Sequence, residues 1–374
     1  MDRSGAMSKS YQTRAALLAA PGQLAVEEVT FEGPAPGQVL LRMAAAGVCH
    51  TDMHVYDSPD GRGWDFPMIL GHEGSGVVEA VGEGVNHLQV GDNAAVGCRV
   101  PCGSCAMCQR GDTRRCMASS AISPSIQLAK DGSAVNVPMG IGLFADLIPV
   151  DAAAAVRIEP DIPVEKLGTL GCAVMTGAGA VLHSARVWPG ATVAVIGCGG
   201  IGLAAIQGAA AANADKVIAV DLNEQKLEWA RRLGATHTVN ATESDTVTEI
   251  RSLTNDQGVD FSFEAVGSSA TVEQAMAMLA YGGTATMIGF PPEGSSVTLP
   301  IGGPNGMFRT TTTLTVTHGG DGLPMFDLPL FAQMYRDGRL DLDTMVSHEV
   351  SLENLGEGFD HMRASDSIRT IVRF

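Results

Sequence analysis

Four cysteines, Cys102, Cys105, Cys108 and Cys116, fall within fifteen residues in the spacing C-x2-C-x2-C-x7-C. Four thiolates on one short, glycine-containing loop can close a tetrahedron around Zn²⁺ without help from elsewhere. A metal with four protein ligands has no open position, so this site braces the structure and does not catalyse. The competing readings are two local disulfides or buried thiols. Disulfides need an oxidising compartment, and residues 1–10 (MDRSGAMSKS) are polar, without the apolar core of an export signal. Residues 1–10 read as a loose tail in which Met7 is an alternative start. The chain carries eight cysteines, which in a reducing compartment point to metal binding or reactivity more than to disulfides.

Three further clusters are separated along the chain: Cys49-His50-Thr51-Asp52-Met53-His54, Gly71-His72-Glu73-Gly74 and Gly171-Cys172. Each alone is ambiguous, because a lone histidine is more often a satisfied core residue and Cys172 can pass for a small buried hydrophobe. Together Cys49, His72 and Cys172 supply two thiolates and one imidazole. That is the donor set of a catalytic zinc whose fourth position stays open to water or substrate.

A dinucleotide fingerprint lies in the middle stretch of the chain. The apolar run 191–196 leads straight into Gly197-Cys198-Gly199-Gly200-Ile201-Gly202, and a second apolar run, 217–220, ends in Asp221. A strand, a glycine turn, a helix and an acid at the end of the next strand form the full context such a motif requires. The glycines allow close approach of a pyrophosphate to the helix N-terminus, where free N–H groups and the dipole favour anions. Asp221 can accept hydrogen bonds from both hydroxyls of an adenosine ribose; its bland alternative is a turn acid. A 2′-phosphate would be repelled, and Leu222 and Asn223 offer no cation to hold one, so NAD is favoured over NADP. Cys198 is read as passive, and Lys226 as either a brace for the ribose or an exposed helix lysine.

The elements that must carry these groups follow from pattern and composition. At 374 residues with 45% hydrophobic content, the chain is too long for one core, and two domains are expected. The first half is β-rich: 39–43, 76–81 and 93–96 are short strand-like runs punctuated by Gly-Pro, Gly-Glu-Gly and Gly-Asp, which suggests a small antiparallel barrel or sandwich. From about Leu170 the pattern changes. Strand candidates 192–196, 216–220, 260–265 and 284–289 alternate with helical stretches 200–212, 224–233 and 269–279, the mark of a parallel sheet covered by helices. Beyond Leu323 a helix at 328–336 and a final strand at 368–374 are expected. Net charge is −17, which repels phosphate backbones and speaks against nucleic acid as a partner. No apolar run of membrane-spanning length is evident, the most apolar helix, 201–212, being interrupted by Gln207; no membrane association and a cytoplasmic location are expected.

In this order the motifs identify a resemblance to the zinc-dependent alcohol dehydrogenases of the medium-chain dehydrogenase/reductase (MDR) superfamily. It extends from about Thr13 to Phe374 and rests on 49–54, Gly71-His72-Glu73, the cysteine quartet, Gly171-Cys172, the glycine turn with Asp221, and the ending Ser367-Ile368-Arg369-Thr370. The resemblance implies an α/β architecture. A GroES-like β-rich catalytic domain takes in 1–176 and 318–374, with a structural-zinc lobe near 98–117. A Rossmann domain with a doubly wound parallel sheet occupies 177–317, and the active site lies in the cleft between the domains. It also implies two Zn²⁺ per chain, one catalytic on Cys49, His72 and Cys172 and one structural on Cys102, Cys105, Cys108 and Cys116.

The activity so implied is reversible hydride transfer between an alcohol and NAD, giving an aldehyde or ketone. Zinc polarises the alcohol oxygen while the nicotinamide carries the electrons. Thr51 takes the place of the hydroxyl beside the substrate oxygen, and His54 that of the histidine delivering the proton to solvent. Asp52 and Glu73 are read as carboxylates behind the metal ligands, Asp52 orienting His72. His50 and Arg369 resemble the cationic contacts to the cofactor pyrophosphate. Many relatives have arginine at the first of these, and a histidine, only partly charged near neutrality, should hold the cofactor more loosely. Cys98 stands where many relatives have a bulky aromatic, which would leave room for a medium-sized or aromatic, primary alcohol. Two alternatives are a class III enzyme acting on hydroxymethyl-glutathione, which segment 117–138 does not resemble, and a nicotinoprotein that never releases its NAD. A homodimer or homotetramer is expected, with strand residues 311–317 pairing across a dimer axis.

Overall fold

The computed structural model describes residues 9–59, 63–116 and 121–374. Residues 1–8 of the tail expected at 1–10, and residues 117–120 of the segment compared with class III enzymes, lie outside the described residues, whereas Ser10 already opens a strand. The chain divides into two compact units. The first runs to Cys172 and adds Leu323–Ala332 and Val346–Phe374; the second is Ala173–Gly322 with Gln333–Met345.

The first unit is built on two sheets. One orders its strands Met68–Ile69, Ser10–Ala20, Gln23–Glu32, Ile126–Leu128 and Ala134–Val135. The other runs Ala155–Arg157, Asn93–Val96, Gly74–Val81, Gln38–Gly47, Arg369–Arg373 and Val346–Ser351, with Leu147–Asp151 also pairing Gln38–Gly47. Pairing is antiparallel throughout these two sheets except between Val346–Ser351 and Arg369–Arg373. The long hairpin Ser10–Ala20/Gln23–Glu32 turns at Gly22, whose φ of 72° suits a residue without a Cβ. This hairpin adds to the expected strands; its half-exposed residues give no clean alternation to read. The core it covers includes Leu18, Leu40, Met68, Ile69, Phe144 and Phe359.

The second unit is a six-stranded, wholly parallel sheet in the order His237–Asn240, Lys216–Asp221, Thr192–Ile196, Val259–Glu264, Leu279–Met287, Thr313–Val316. Numbered along the chain, that is the order 3-2-1-4-5-6 of the doubly wound dinucleotide fold. Helices Gly200–Ala211, Glu224–Arg232, Thr246–Leu253 and Ser269–Ala277 connect the first five strands. Three of them start on side-chain caps: Asn223 accepts from the Gln225 N–H, Asp245 from Thr248 and Ser268 from Thr271.

The two compact units divide the chain at somewhat different points from the expected domains. The boundary expected at Thr176 falls between Cys172 and Ala173, and Gln333–Met345 belongs with the second unit instead of returning to the first. The reason is specific bonding: the Asp341 N–H donates to Gln207 Oε1 at 2.6 Å, and Arg339 Nη2 donates to the Ala211 carbonyl at 2.7 Å. One helical run, Val164–Ala185, is also long and apolar enough to cross a membrane, where none was expected. Its apolar window is 83% buried inside the protein, which makes it a core helix. Its glycines at 168, 171, 177 and 179 hide it from a propensity-based reading.

Phe144 is fully buried, and its backbone accepts from Ala16 and donates to Leu70. Phe144→Ala should destabilise the first unit by about 3–5 kcal/mol, read as an earlier unfolding transition in urea.

Candidate metal centre and dinucleotide turn

Cys49 occupies the N-cap of helix His50–Tyr56 in extended conformation, so its side chain leaves the helix axis. Its N–H donates to Asp52 Oδ2 at 3.1 Å, and the Gly71 N–H donates to Asp52 Oδ1 at 3.1 Å. His72 Nδ1 lies 3.2 Å from the same Oδ1. An ionised carboxylate only accepts, so Nδ1 carries the proton and Nε2 is left as the metal-binding nitrogen. One buried carboxylate thereby fixes the helix start, the turn before His72 and the tautomer of His72. Gly71 holds φ at 91°, and a Cβ there would press on Phe144.

Cys172 comes from the π-helical turn Leu170–Val174. The preceding Gly171 approaches the Val96 carbonyl so closely that no side chain would fit. Cys49 Sγ and Cys172 Sγ are 3.9 Å apart, and the ligating atoms of Cys49, His72 and Cys172 all lie within 4.8 Å of one another. Sulfurs at about 2.3 Å from a tetrahedral zinc would be roughly 3.8 Å apart, so the trio fits that ion in both donor type and spacing. The two sulfurs are within hydrogen-bonding distance, and either can donate. The hydrogen bond from Cys172, assisted by His72, draws Cys49 well below the usual thiol range, while the hydrogen bond to Cys49 and burial push Cys172 up. Burial opposes the His72 imidazolium, but Asp52 and the Cys49 thiolate outweigh it and hold His72 well above the usual histidine value.

Around this trio, Thr51 Oγ1 lies 3.9 Å from Cys49 Sγ. Glu73 is fully buried with Oε1 3.2 Å from Arg369 Nε, and Arg369 Nη1 donates to the Val48 carbonyl at 2.9 Å. Burial works against the Arg369 guanidinium, but Glu73 and then the thiolates raise its pKa. Its Nη2 is buried without a hydrogen-bond partner among the described residues, a donor that suits an anionic group. His50 is exposed and His54 half-buried, their rings 6.3 Å apart on one helix. Cys98 is half-buried, and its thiol pKa is raised by burial, with His72, Cys49 and Glu73 all near enough to act on it.

The quartet forms a second cluster, with the ligating atoms of Cys102, Cys105, Cys108 and Cys116 also within 4.8 Å of one another. None of the eight cysteines is in a disulfide. Backbone N–H groups of Cys105 and Cys102 point at Cys102 Sγ and Cys116 Sγ, each at 3.3 Å, the arrangement that stabilises thiolates. Hydrogen bonds from Ser104 and Cys105 bring Cys102 down to about 6, while burial and neighbouring thiols take Cys108 up to about 12. Donor type and spacing fit Zn²⁺, and all four positions are filled by protein. Sequence reasoning misses the anchor of this loop: Arg114 Nη1 meets the buried Asp327 at 2.9 Å, and Asp327 also accepts from the Leu323 N–H. A partner 213 positions away leaves no local trace in the sequence.

In the second unit, Gly197 (φ 93°) ends the first strand, and a side chain at Gly202 would collide with the Gly197 carbonyl. A Cβ on Gly199, the N-cap of helix Gly200–Ala211, would meet nothing within 4 Å. Ile201 stands in the first turn of that helix, and Lys226 is half-buried on the next one. Asp221 ends the second strand and is held by the Cys198 N–H at 2.7 Å and the Asn223 N–H at 2.9 Å. The cradle, the free helix N-terminus and the positioned acid fit a dinucleotide. Cys198 is fully buried, its pKa raised by burial and then by Asp221. Glu264, also missed, accepts from the Val266 and Gly267 N–H groups and from Thr271 Oγ1 at 2.7–2.8 Å. It fixes the turn that packs against Gly197, although in the sequence it reads only as the end of an apolar strand.

Two thiolate-rich metal clusters in one unit and a dinucleotide fold in the other define a zinc-dependent oxidoreductase. Residues 35–160 match the model of the alcohol dehydrogenase GroES-like domain, and 200–323 that of the zinc-binding dehydrogenases. The chain is 36% identical to an alcohol dehydrogenase class-3 of Cereibacter sphaeroides, covering 97% of this chain and all of the relative. It is 35% identical, over the same shares, to an S-(hydroxymethyl)glutathione dehydrogenase of Paracoccus denitrificans. Among solved structures, benzyl alcohol dehydrogenase from Acinetobacter calcoaceticus superposes with a TM-score of 0.88 at 30% identity, covering 97% of this chain and 99% of that one. The chain belongs to the zinc-dependent alcohol dehydrogenase family of the MDR superfamily.

Because Asp52 sets the His72 tautomer, Asp52→Asn should weaken zinc binding at the trio by about 10–100-fold while leaving the quartet loaded. Competition with a chelator, read as one zinc lost early and one retained, checks this.

Proposed function

We propose that this zinc-dependent alcohol dehydrogenase oxidises a primary, medium-sized or aromatic alcohol with NAD, using Cys49, His72 and Cys172 as the catalytic zinc ligands. The observation that carries the reading is the trio itself: three donors of the right chemistry, drawn from separate parts of the chain, within 4.8 Å. When bound, zinc supplies Lewis-acid polarisation of the alcohol oxygen and NAD the hydride acceptor. Asp52 holds His72 by Nδ1, keeping Nε2 on the metal. The Thr51 hydroxyl, beside Cys49, would take the alcohol proton while handing on its own, and with NAD bound the nicotinamide ribose would link it to His54, which would release the proton to solvent. Glu73 neutralises Arg369 and restrains it beside the metal. Arg369 Nη2 and His50 serve the cofactor pyrophosphate, and the turn from Gly197 through Gly199, Gly200 and Ile201 to Gly202 receives it. Asp221, braced by Lys226, takes the ribose hydroxyls, and the quartet holds a structural zinc.

Asp221 argues for NAD by charge, since a 2′-phosphate would face a fixed carboxylate with Leu222 exposed beside it. Asp221→Ser should therefore raise the NADP-to-NAD ratio of kcat/KM at least about tenfold, or about 1.4 kcal/mol. Parallel initial rates with both cofactors read the change.

A second reading is favoured by the names of the relatives: oxidation of a hydroxymethyl-glutathione adduct. Glutathione brings two carboxylates, which need cations. The only one between 117 and 138 is Lys130, already paired to Glu27 at 3.2 Å. That supports the simple-alcohol reading, as does a half-buried Cys98 near the trio, which leaves space for substrate bulk. A nicotinoprotein would show a bound-NADH absorbance band and turn over only with an artificial acceptor. We take the enzyme to be cytoplasmic and a homodimer or homotetramer, with strand Thr313–Val316 at the sheet edge available for pairing.

The deciding experiment combines metal analysis with an NAD-reduction screen over primary, secondary, aromatic and terpenoid alcohols, and formaldehyde with and without glutathione. Two zincs per chain and glutathione-independent turnover of an aromatic or medium-sized primary alcohol are expected. An absolute demand for glutathione would establish the second reading. Full zinc with no turnover by NAD or an artificial acceptor would overturn both.

A further inference from the structure

A third cluster of ligand-type side chains lies apart from both zinc sites. His348 is carried by strand Val346–Ser351, His361 by helix Leu355–Ala364, and Asp366 follows that helix. The helix ends on Ser365 in left-handed conformation (φ 57°), which turns the chain back so that Asp366 faces His361. His361 Nδ1 is 3.1 Å from Asp366 Oδ1 and 3.4 Å from Oδ2. The His348 and His361 rings stack with centroids 3.9 Å apart and planes 27° apart. One nitrogen of each imidazole and one oxygen of Asp366 lie within 4.8 Å of one another.

We propose that His348, His361 and Asp366 form a third metal site, taking a borderline divalent cation such as Zn²⁺, Ni²⁺ or Cu²⁺. Two imidazoles and a carboxylate are the donors such ions prefer. Nitrogen and oxygen ligands about 2.0–2.1 Å from a tetrahedral ion stand roughly 3.3 Å apart, close to the His361–Asp366 separation already present. Both rings are half-buried and Asp366 is exposed, so side-chain rotation can bring His348 into the same shell. The competing account is a plain His361–Asp366 hydrogen bond. His348 Nδ1 is itself 3.1 Å from Ser347 Oγ, and the plain hydrogen bond gives its stacked ring no part at Asp366. A bridging cation uses both rings in their neutral form. Burial, and then His361, hold His348 below the usual histidine value, which favours that form at neutral pH.

The site would join a helix to the strand pair that carries Arg369. His348 sits opposite Thr370, and the Thr370 carbonyl accepts from Val48, the residue before Cys49. Occupancy should therefore stabilise the first unit without supplying a catalytic ligand.

Ni²⁺ titrated calorimetrically into enzyme whose two zinc sites are already loaded should show one additional equivalent. Cu²⁺ bound at the same place should give an electron paramagnetic spectrum with nitrogen couplings from two imidazoles. His361→Ala, His348→Gln and Asp366→Asn should each weaken the added equivalent by about 10–100-fold while two zincs per chain are retained. The proposal fails if millimolar Ni²⁺ adds no equivalent, or if the added equivalent survives all three substitutions unchanged. Should His361→Ala not fold, His348→Gln and Asp366→Asn decide the matter.

Discussion

The Asp52 carboxylate is the interaction on which the rest of the metal centre depends. Buried to 2% exposure, it accepts from two backbone N–H groups and from the His72 ring. A buried anion without such partners would cost several kcal/mol; with them it becomes a clamp between two segments that share no secondary structure. Around it the charges alternate: Asp52 with His72, His72 with the Cys49 thiolate, and Arg369 with both Glu73 and the thiolates. Removing one member would leave its neighbour buried and unpaired, a loss of about 3–5 kcal/mol for a buried pair. A divalent cation entering this network meets ligands already aimed at it.

The two metal clusters are legible in the sequence to different degrees, and the reason is chain separation. The quartet closes on itself within one loop, so its spacing alone announces the ion. Cys49 and Cys172 are 123 positions apart, and only the fold brings their sulfurs together. The glycine turn with Asp221 was legible because strand, turn and helix are consecutive, and four of the six parallel strands follow from the same alternation; Thr313–Val316 came only from the resemblance, and His237–Asn240 was not read. Asp327, Glu264 and the Gln207–Asp341 pairing were not legible, because each acts through a backbone group or a partner fixed only by tertiary packing. Helix Val164–Ala185 was hidden for a different reason: its glycines lower local propensity, yet Gly171 and Gly177 are required where the run meets neighbouring backbone. Local preference and packing demand disagree there, and packing prevails.

The quartet loop shows how a small element is held without a large core. Helix Ala106–Gln109 has only four residues and a non-polar first turn, too little to persist alone. Its thiolate cluster on one side and the Arg114–Asp327 contact on the other supply the restraint that burial does not.

The return of the last strand into the first sheet has a consequence for the order of events in the cell. Ile371, Val372 and Arg373 pair with Gly47, Ala46 and Ala45, and Arg369 donates to the Val48 carbonyl 321 positions earlier. On a ribosome, the N-terminal segments emerge long before the residues that complete their sheet. The dinucleotide-binding sheet, whose strands follow one another from Thr192 to Val316, has no such wait. The parallel sheet can thus form as its strands are made, whereas Gln38–Gly47 waits for residues 369–373 to complete its pairing. Until then, the backbone of residues 45–47 stays an open β edge.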